Sequence, residues 1–227
     1  YERRFNSQVI AGASGPVLTV ANASKANEGS YQVVMKNPAG SAVSEEVKLT
    51  VVQPVVILVQ PEGATKLLGQ ALTLSVVASG SEPLVYQWSK DGEAIEGADG
   101  KELAFAVLIP DNQGVYSVSI SNEAGTVVSD PAAITVHVPI TITQQPEQAR
   151  VIEGETATFT VVASGTDPIE YEWRFNSQVI EGASGPVLTI ANASKANEGS
   201  YQVVMKNPAG SVVSEEVKLT VVQPVVI

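Results

Sequence analysis

Apolar and polar residues alternate along short segments of this chain, and clusters of turn-forming residues separate the segments. Residues 158–163 alternate, residues 164–168 interrupt the pattern, and residues 171–174 alternate again. Further along, Tyr201 and Val203 lie on one face of another such segment. A period of two residues is typical of a β-strand with one buried face. About seven such segments in each repeat predict an all-β fold of two packed sheets.

The whole pattern repeats every 85 residues. Tyr116 lies midway between Tyr31 and Tyr201, and Trp88 precedes Trp173 by the same interval. A repeat of this length fits one small β-domain better than a solenoid unit. Residues 1–57 return as residues 171–227 with four differences, which are Arg3/Trp173, Ala11/Glu181, Val20/Ile190 and Ala42/Val212.

Proline marks the boundaries of the repeats. Pro54, Pro139 and Pro224 each follow the last strand of one repeat and directly precede the first strand of the next. Such short connections predict domains that stack end to end. The predicted division is residues 1–53 as the C-terminal part of a domain, residues 54–138 and 139–223 as complete domains, and residues 224–227 as the start of another.

Three motifs recur in the complete repeats. A tryptophan follows the first core position by twelve residues, Asn-x-Gly-x-Tyr precedes the sixth strand, and Asn-x-Ala-Gly forms the last hairpin. Together these motifs resemble the intermediate (I-set) kind of immunoglobulin fold. The resemblance implies tandem immunoglobulin-like β-sandwiches in an end-to-end array, with core tryptophans at Trp88 and Trp173 and tyrosine corners at Tyr31, Tyr116 and Tyr201.

The chain has no cysteine. Where the immunoglobulin family usually has its paired cysteines, this sequence has Val76 with Val118 and Val161 with Val203. The missing bridge would be worth about 2–4 kcal/mol, of which valine packing returns only a part. Disulfide-free repeats of this kind are similar to the immunoglobulin-like arrays of large bacterial surface proteins, which implies a bacterial protein located outside the cell or on its surface.

The first 53 residues lack two strands and cannot close a sandwich alone. In addition, Arg3 stands where Trp173 should fill the core, and an unpaired arginine there would be strongly destabilising. Two explanations are open. The chain start is an arbitrary boundary that leaves position 3 outside a closed core, or strands from another molecule complete this half-domain.

Charge and residue usage exclude several kinds of function. The net charge of −11 argues against binding to nucleic acid, and no apolar run is long enough to cross a bilayer. One histidine, His137, and no cysteine leave no catalytic triad, and no glycine-rich phosphate loop is present. We therefore predict a non-enzymatic chain with no catalytic residues, no cofactor and no metal.

An acidic segment leaves one metal hypothesis to consider. Its carboxylates could offer oxygen ligands to calcium, or they could be a solvated hairpin edge with Asp91-Gly92 as the turn. The second interpretation is preferred. The acidic residues are Asp91, Glu93, Glu96, Asp99 and Glu102.

One predicted strand has no polar face. Residues 55–59 are all apolar, whereas the equivalent residues after Pro139 alternate. Such a strand needs cover on both sides, supplied either by its own two sheets or by an adjoining domain or neighbouring chain. The candidate contact residues are Val55, Val56, Ile57, Leu58 and Val59.

Close copying of whole domains favours a mechanical role. We predict a structural segment of an extracellular repeat array, such as a stalk, a fibre or the shaft of a giant adhesin. The alternative is an adhesive module whose loops recognise glycan or protein. The expected partners are neighbouring domains of the same chain and, in a fibre, lateral copies of the chain; neither nucleic acid nor membrane insertion is expected.

Overall fold

The computed structural model describes residues 1–224. Its regular structure there is almost entirely β-strand, with three short 3-10 helices at Lys25–Asn27, Pro110–Asn112 and Lys195–Asn197. Two compact units make up the chain. One holds Tyr1–Val59, Val77–Tyr86 and Ser119–Val128, and the other holds Gln60–Val76, Gln87–Val118 and the residues from Ser129 onward.

The first part of the chain forms a single sheet. Its strand order is β2-β1-β3-β4, and β5 also pairs with β3. The strands are β1 (Glu2–Phe5), β2 (Gln8–Val9), β3 (Gly29–Asn37), β4 (Gly40–Val43) and β5 (Val47–Leu49).

The next repeat contributes ten strands. They are β6 (Val56–Val59), β7 (Ala64–Leu67), β8 (Leu72–Ser75), β9 (Val77–Ser79), β10 (Val85–Lys90), β11 (Glu93–Ala94), β12 (Glu102–Phe105), β13 (Gly114–Asn122), β14 (Gly125–Val128) and β15 (Ala132–His137). The larger sheet has the order β11-β10-β13-β15-β7, with β14 beside β13. The pairs β6-β9 and β8-β12 are two separate two-stranded sheets.

The last repeat has the same ten strands. They are β16 (Thr141–Gln144), β17 (Ala149–Ile152), β18 (Ala157–Thr160), β19 (Val162–Ser164), β20 (Glu170–Phe175), β21 (Gln178–Val179), β22 (Val187–Ile190), β23 (Gly199–Asn207), β24 (Gly210–Val213) and β25 (Val217–Val222). Strands β17-β25-β23-β20-β21 form one sheet, with β24 beside β23, while β16 pairs with β19 and β18 with β22.

The core of the last repeat is built around Trp173, which is fully buried. Phe159 on β18 stacks on Tyr201 of β23 with ring centroids 4.8 Å apart, and Phe175 lies 4.9 Å from the same ring. Val161 and Val203, the valines at the family's cysteine positions, are buried in the same cluster. Aromatic and aliphatic burial of this kind stabilises a domain by about 1.5–3 kcal/mol for each large side chain.

Ser214 is buried in the bend of the chain that connects β24 to β25. The Ser214 hydroxyl accepts a hydrogen bond from the Val203 N–H at 3.0 Å and donates one to the Glu215 carbonyl at 2.9 Å. Gln145 lies between β16, which pairs with β19, and β17, which pairs with β25. Its side-chain oxygen accepts a hydrogen bond from the Glu215 N–H at 3.0 Å. Polar groups left buried by the bend are therefore satisfied.

The first part of the chain folds differently from its near-identical copy. Residues 187–190 form strand β22 beside β18, but their counterparts at 17–20 form no strand. Strand β25 runs to Val222 because β17 pairs with it, whereas β5 ends at Leu49. Among the described residues no strand pairs with 17–20, and the four sequence differences include only one conservative change within these segments.

Candidate functional site at the domain junctions

The tryptophans and valines singled out from the sequence as core residues lie in the core of the two larger repeats. Trp88 and Trp173 are fully buried, and each indole N–H donates to a glycine carbonyl at 2.9 Å, that of Gly100 and that of Gly185. The four valines at the expected cysteine positions are also buried, which are Val76, Val118, Val161 and Val203.

The three corner tyrosines make the same contact. Each phenol donates to a backbone carbonyl four residues upstream, at 2.7 Å for Tyr31 and 2.8 Å for Tyr116 and Tyr201. Burial raises the pKa of the Tyr201 phenol, and burial together with the Asp91 carboxylate raises that of Tyr116. Both groups therefore remain protonated donors at neutral pH.

An asparagine forms the centre of each junction between successive repeats. The Asn207 side-chain amide donates to the Val138 carbonyl at 2.9 Å and to the Thr166 carbonyl at 3.0 Å. Its side-chain oxygen accepts from the Ala209 N–H at 2.9 Å, which fixes the β23–β24 turn. One side chain thus joins a hairpin, a neighbouring loop and the residue that enters the domain.

The entering backbone is also bonded directly to that loop. The Val138 N–H donates to the Thr166 hydroxyl at 2.7 Å, and the Thr166 N–H donates to the Val138 carbonyl at 3.0 Å. The surrounding space is tight: a Cβ added to Gly165 would lie 3.2 Å from the Pro139 carbonyl oxygen and 3.0 Å from the Asn207 amide. We call this set of contacts around Asn207 the junction clamp.

The same clamp occurs one repeat earlier. The Asn122 side-chain amide donates to the Gln53 carbonyl at 2.8 Å and to the Ser81 carbonyl at 3.0 Å. The Gln53 N–H donates to the Ser81 hydroxyl at 2.8 Å, so serine replaces threonine without loss of the contact. The sequence identified Asn-x-Ala-Gly only as a hairpin motif; its role at the junction depends on long-range contacts.

The apolar segment after Pro54 is only partly covered. Val55 is buried and Ile57 is half-buried, but Val56, Leu58 and Val59 are 52%, 61% and 52% exposed. The segment pairs with β9 through Val56, Ile57 and Val59, with an irregularity around Leu58. Cover by the two sheets of its own repeat therefore does not extend to three of the five residues.

Asp91 of the acidic segment stabilises a turn, and the single histidine, His137, lies at the end of a strand. Asp91 has a φ of 52° in the turn between β10 and β11, and its carboxylate accepts from the Val115 N–H at 2.8 Å. Asn6 and Asn176 make the equivalent contact in the other repeats. His137 is half-buried at the end of β15. Within residues 1–224, no group of three or more His, Cys, Asp or Glu is placed to hold a metal ion.

Among residues 1–224, no helix has the length and apolar character that a membrane span requires.

Comparison with known proteins agrees with the sandwich architecture. The sequence model of the immunoglobulin domain matches residues 139–207. An I-band fragment from titin superposes with a TM-score of 0.80, at 18% identity, over 97% of this chain and 87% of the titin chain. The chain is a tandem of immunoglobulin-like domains. The prediction of the fold class from alternation and motif spacing is confirmed.

Immunoglobulin-like repeats of this kind occur in large animal proteins. Mouse hemicentin-2 is 31% identical over 232 residues, which cover 92% of this chain and 4% of hemicentin-2. The muscle M-line assembly protein unc-89 of Caenorhabditis elegans is 28% identical over 224 residues, 88% of this chain and 3% of unc-89. The rat netrin receptor DCC is 26% identical over 88% of this chain and 15% of the receptor.

These relatives do not support the expected bacterial origin, and this chain corresponds to only a small part of each of them. They come from a nematode and from mammals, so the bacterial origin inferred from the missing disulfides is not supported. Buried valine pairs fill the positions of the family's cysteines in both complete repeats. The missing disulfide is therefore explained by packing within the repeat and does not indicate which organism the chain comes from. The chain spans only 3% to 16% of the length of these three relatives and neogenin.

Proposed function

We propose that this chain is a structural segment of an extracellular immunoglobulin-like array, in which it spaces other parts of a longer protein. The observation that carries the proposal is the junction clamp, built twice with the same atoms around Asn122 and Asn207. Each clamp bonds the backbone that enters a repeat to two loops of that repeat, so the entering residue is held in place instead of belonging to a free linker. Fixed entry points suit a spacing role.

The clamp supports the domain boundaries proposed from the prolines. Gln53 and Val138 are the two residues whose carbonyls the clamps hold, and each directly precedes the proline that opens a repeat. The proposed complete domains are therefore residues 54–138 and 139–223, with residues 1–53 as the end of a preceding domain. Of residues 224–227, proposed as the start of another domain, 225–227 lie outside the described residues.

Three observations favour an extracellular, non-catalytic role. Rat DCC is named a netrin receptor, and a Drosophila OTK fragment of extracellular domains has the same fold, with a TM-score of 0.52 over 97% of this chain. In addition, a single histidine and no cysteine leave few groups for catalysis. Surface labelling of intact cells with an antibody against residues 58–142 tests the location, and labelling only after permeabilisation would contradict it.

An in-frame deletion tests the spacing function. Removing residues 58–227 from the full-length protein leaves Ile57 in the place of Ile227 and keeps the strand register, because residues 1–57 and 171–227 correspond. We expect unchanged ligand binding by the rest of the protein and a shorter distance between its two ends, measured by immunogold electron microscopy. Loss of binding to a glycan or protein at unchanged distance would support the adhesive alternative instead.

We also propose that the exposed apolar edge of β6 contacts a lateral copy of the chain. Val56, Leu58 and Val59 occupy positions where the next repeat has Thr141, Thr143 and Gln144. An edge strand with apolar side chains in water is a ready surface for association with another chain. The adjoining Val77 on β9 is 48% exposed and extends this surface.

A further inference from the structure

We propose that Asn192 is a site of N-linked glycosylation, and that Asn22 is the same site in the other copy of this segment. Each asparagine is followed by alanine and serine, which completes the acceptor triplet Asn-x-Ser of secreted proteins. No other asparagine of the chain has serine or threonine two residues later. The proposal rests on the proposed extracellular location, because this modification takes place in the secretory pathway.

The structure sets these two asparagines apart from all the others. In the last repeat, Asn176 and Asn197 each accept a hydrogen bond from a backbone N–H, and Asn207 forms the junction clamp. The asparagines outside the triplets in the rest of the chain also have side-chain hydrogen bonds. Within the described residues, Asn22 and Asn192 have no such bond, and both are exposed. Their amides are therefore free to carry a substituent without loss of a structural contact.

The loop that carries Asn192 is anchored by its neighbour. Ala193 is fully buried, its N–H donates to the Glu155 carbonyl at 2.8 Å, and its carbonyl accepts from the Gly154 N–H at 2.8 Å. Asn192 has a φ of 50°, a left-handed conformation that asparagine tolerates better than most residues. Backbone contacts thus fix the loop on the surface, and the side-chain amide of Asn192 takes no part in them.

Glycan transfer uses the Nδ2 atom of such a free amide. This nitrogen loses one proton and forms a bond to the anomeric carbon of an oligosaccharide carried on a polyprenyl diphosphate. The bond from that carbon to the diphosphate oxygen breaks, and the polyprenyl diphosphate leaves with the electron pair. Asn207 shows the contrast, because its amide donates two hydrogen bonds in the junction clamp and would lose one of them on modification.

The triplet occurs in one kind of repeat and not in the other. In the repeat of residues 54–138, Val107 occupies the place of Asn192, and the first strand β6 has the exposed apolar edge. The last repeat has Asn192 and the polar strand β16. A glycan is bulky and solubilising, so it would keep the last repeat in solvent and leave lateral contact to the repeat that lacks it.

Secretion of the 227-residue chain from animal cells, behind a cleavable signal peptide, tests the site directly. We expect the secreted chain to lose mass on treatment with peptide N-glycosidase, which converts each modified asparagine to aspartate. Compared with an untreated sample, peptide mass spectrometry should locate the conversion at Asn192 and Asn22. Because the signal peptide imposes secretion, this result does not depend on where the natural protein resides. An unmodified secreted chain would overturn the proposal.

Variants of the triplet make the result specific. Ser194→Thr keeps the acceptor triplet and should keep the glycan, whereas Ser194→Ala should lose the glycan at Asn192 and retain the one at Asn22. Asn192→Asp removes the acceptor nitrogen with a residue that also tolerates a positive φ, so the fold should be unchanged. Persistence of the glycan at Asn192 in Ser194→Ala would contradict the assignment.

The natural protein separates this proposal from the proposed location. It is purified from cells whose surface is labelled by the antibody against residues 58–142, and it is digested in the same way. Conversion at Asn192 would support both proposals. An unmodified Asn192 in protein from the labelled surface would refute glycosylation and leave the extracellular role intact.

Discussion

At the scale of single residues, the most informative pair is Arg3 and Trp173. Both side chains donate to the carbonyl of an equivalent glycine, so one hydrogen bond is kept although the residue type changes completely. What differs is the cover above them, because Trp173 is fully buried and Arg3 is half-buried. Arg3 thus keeps the backbone contact that Trp173 makes, without filling a core in the described structure.

Exchanging these residues should have very different effects on stability. We expect Trp173→Arg to lower the free energy of unfolding of the last repeat by at least about 3–5 kcal/mol, because it removes a large core side chain and buries a charge. Arg3→Trp should change the stability of the chain by less than about 0.5 kcal/mol, as for a position outside a closed core. Hydrogen exchange against denaturant measures the first variant at the amides of β23 and the second at the amides of β3. A large gain in stability from Arg3→Trp would show that position 3 is already in a closed core.

At the scale of elements, alternation located the strands but could not decide which of them form. Residues 17–20 and 187–190 differ at one position, Val20/Ile190, yet only the second segment is a strand. The pairing partner lies about 30 residues away in sequence, at β18, and no local pattern reports its presence. The same limit hid the junction clamp, because Asn207 and Val138 are 69 residues apart.

Removing one clamp should loosen a hairpin and a loop together. In Asn207→Ala, the Val138 and Thr166 carbonyls lose a donor and the Ala209 N–H loses its acceptor. Each lost bond is worth about 1 kcal/mol, so local opening should expose the Thr166 and Ala209 amides about fivefold more often. Amide hydrogen exchange measures this effect.

Asn37→Ala is the matched control for the clamp. In the described part of the chain, Asn37 keeps the hairpin bond to Ala39 but has no recorded bond to an entering residue or loop. We therefore expect its effect to be confined to the β3–β4 turn. If Asn207→Ala also disturbed only its own turn, the clamp would contribute nothing to the junction.

Another element-level contact predicts a pH dependence. The Glu198 carboxylate accepts from the Lys195 ammonium and from the Val221 N–H, both at 2.9 Å. The bond from Lys195 and then that from Val221 lower the pKa of Glu198 from its ordinary value of 4.5. A lowered folded-state pKa adds stability that is complete above pH 4.5 and is lost as the pH falls through the folded value.

The variant Glu198→Gln isolates this contribution. Gln113 fills the same place in the other complete repeat and accepts from the Val136 N–H at 3.3 Å, so an amide fits there. We expect the wild type to be the more stable protein at pH 7 and the difference to shrink as the pH falls below 4.5. Urea unfolding of both proteins from pH 7 to pH 2 measures the gap. A gap that stays constant would show that the charge plays no part.

At the scale of the whole molecule, the sequence was sufficient for the fold and insufficient for the origin. The tandem immunoglobulin-like architecture was implied by the resemblance of Trp88, Trp173 and the corner tyrosines to the family pattern, and both tryptophans are fully buried. The absence of cysteine suggested bacteria, but buried Val76–Val118 and Val161–Val203 pairs satisfy the core in any organism. The residues at these positions are constrained by core packing, so they do not indicate the group of organisms from which the protein comes.

Association of whole chains should depend on β6. The triple variant Val56→Thr, Leu58→Thr, Val59→Gln copies the polar residues of β16 and should reduce self-association at high concentration, because it removes the exposed apolar edge. The reverse variant Thr141→Val, Thr143→Leu, Gln144→Val should increase it. Sedimentation velocity over a concentration series compares the three proteins. A monomeric wild type at every concentration would refute the lateral contact.

The parallel pairing of β17 with β25 governs when a domain can mature on the ribosome. Ala149 must wait for Leu219, which is translated 70 residues later. At 5–20 residues per second this delay is roughly 4 to 14 s. Throughout that interval the nascent repeat has made its early strands and still lacks β25. Each new copy therefore passes through an unfinished stage in which its neighbours in translation are available to complete it.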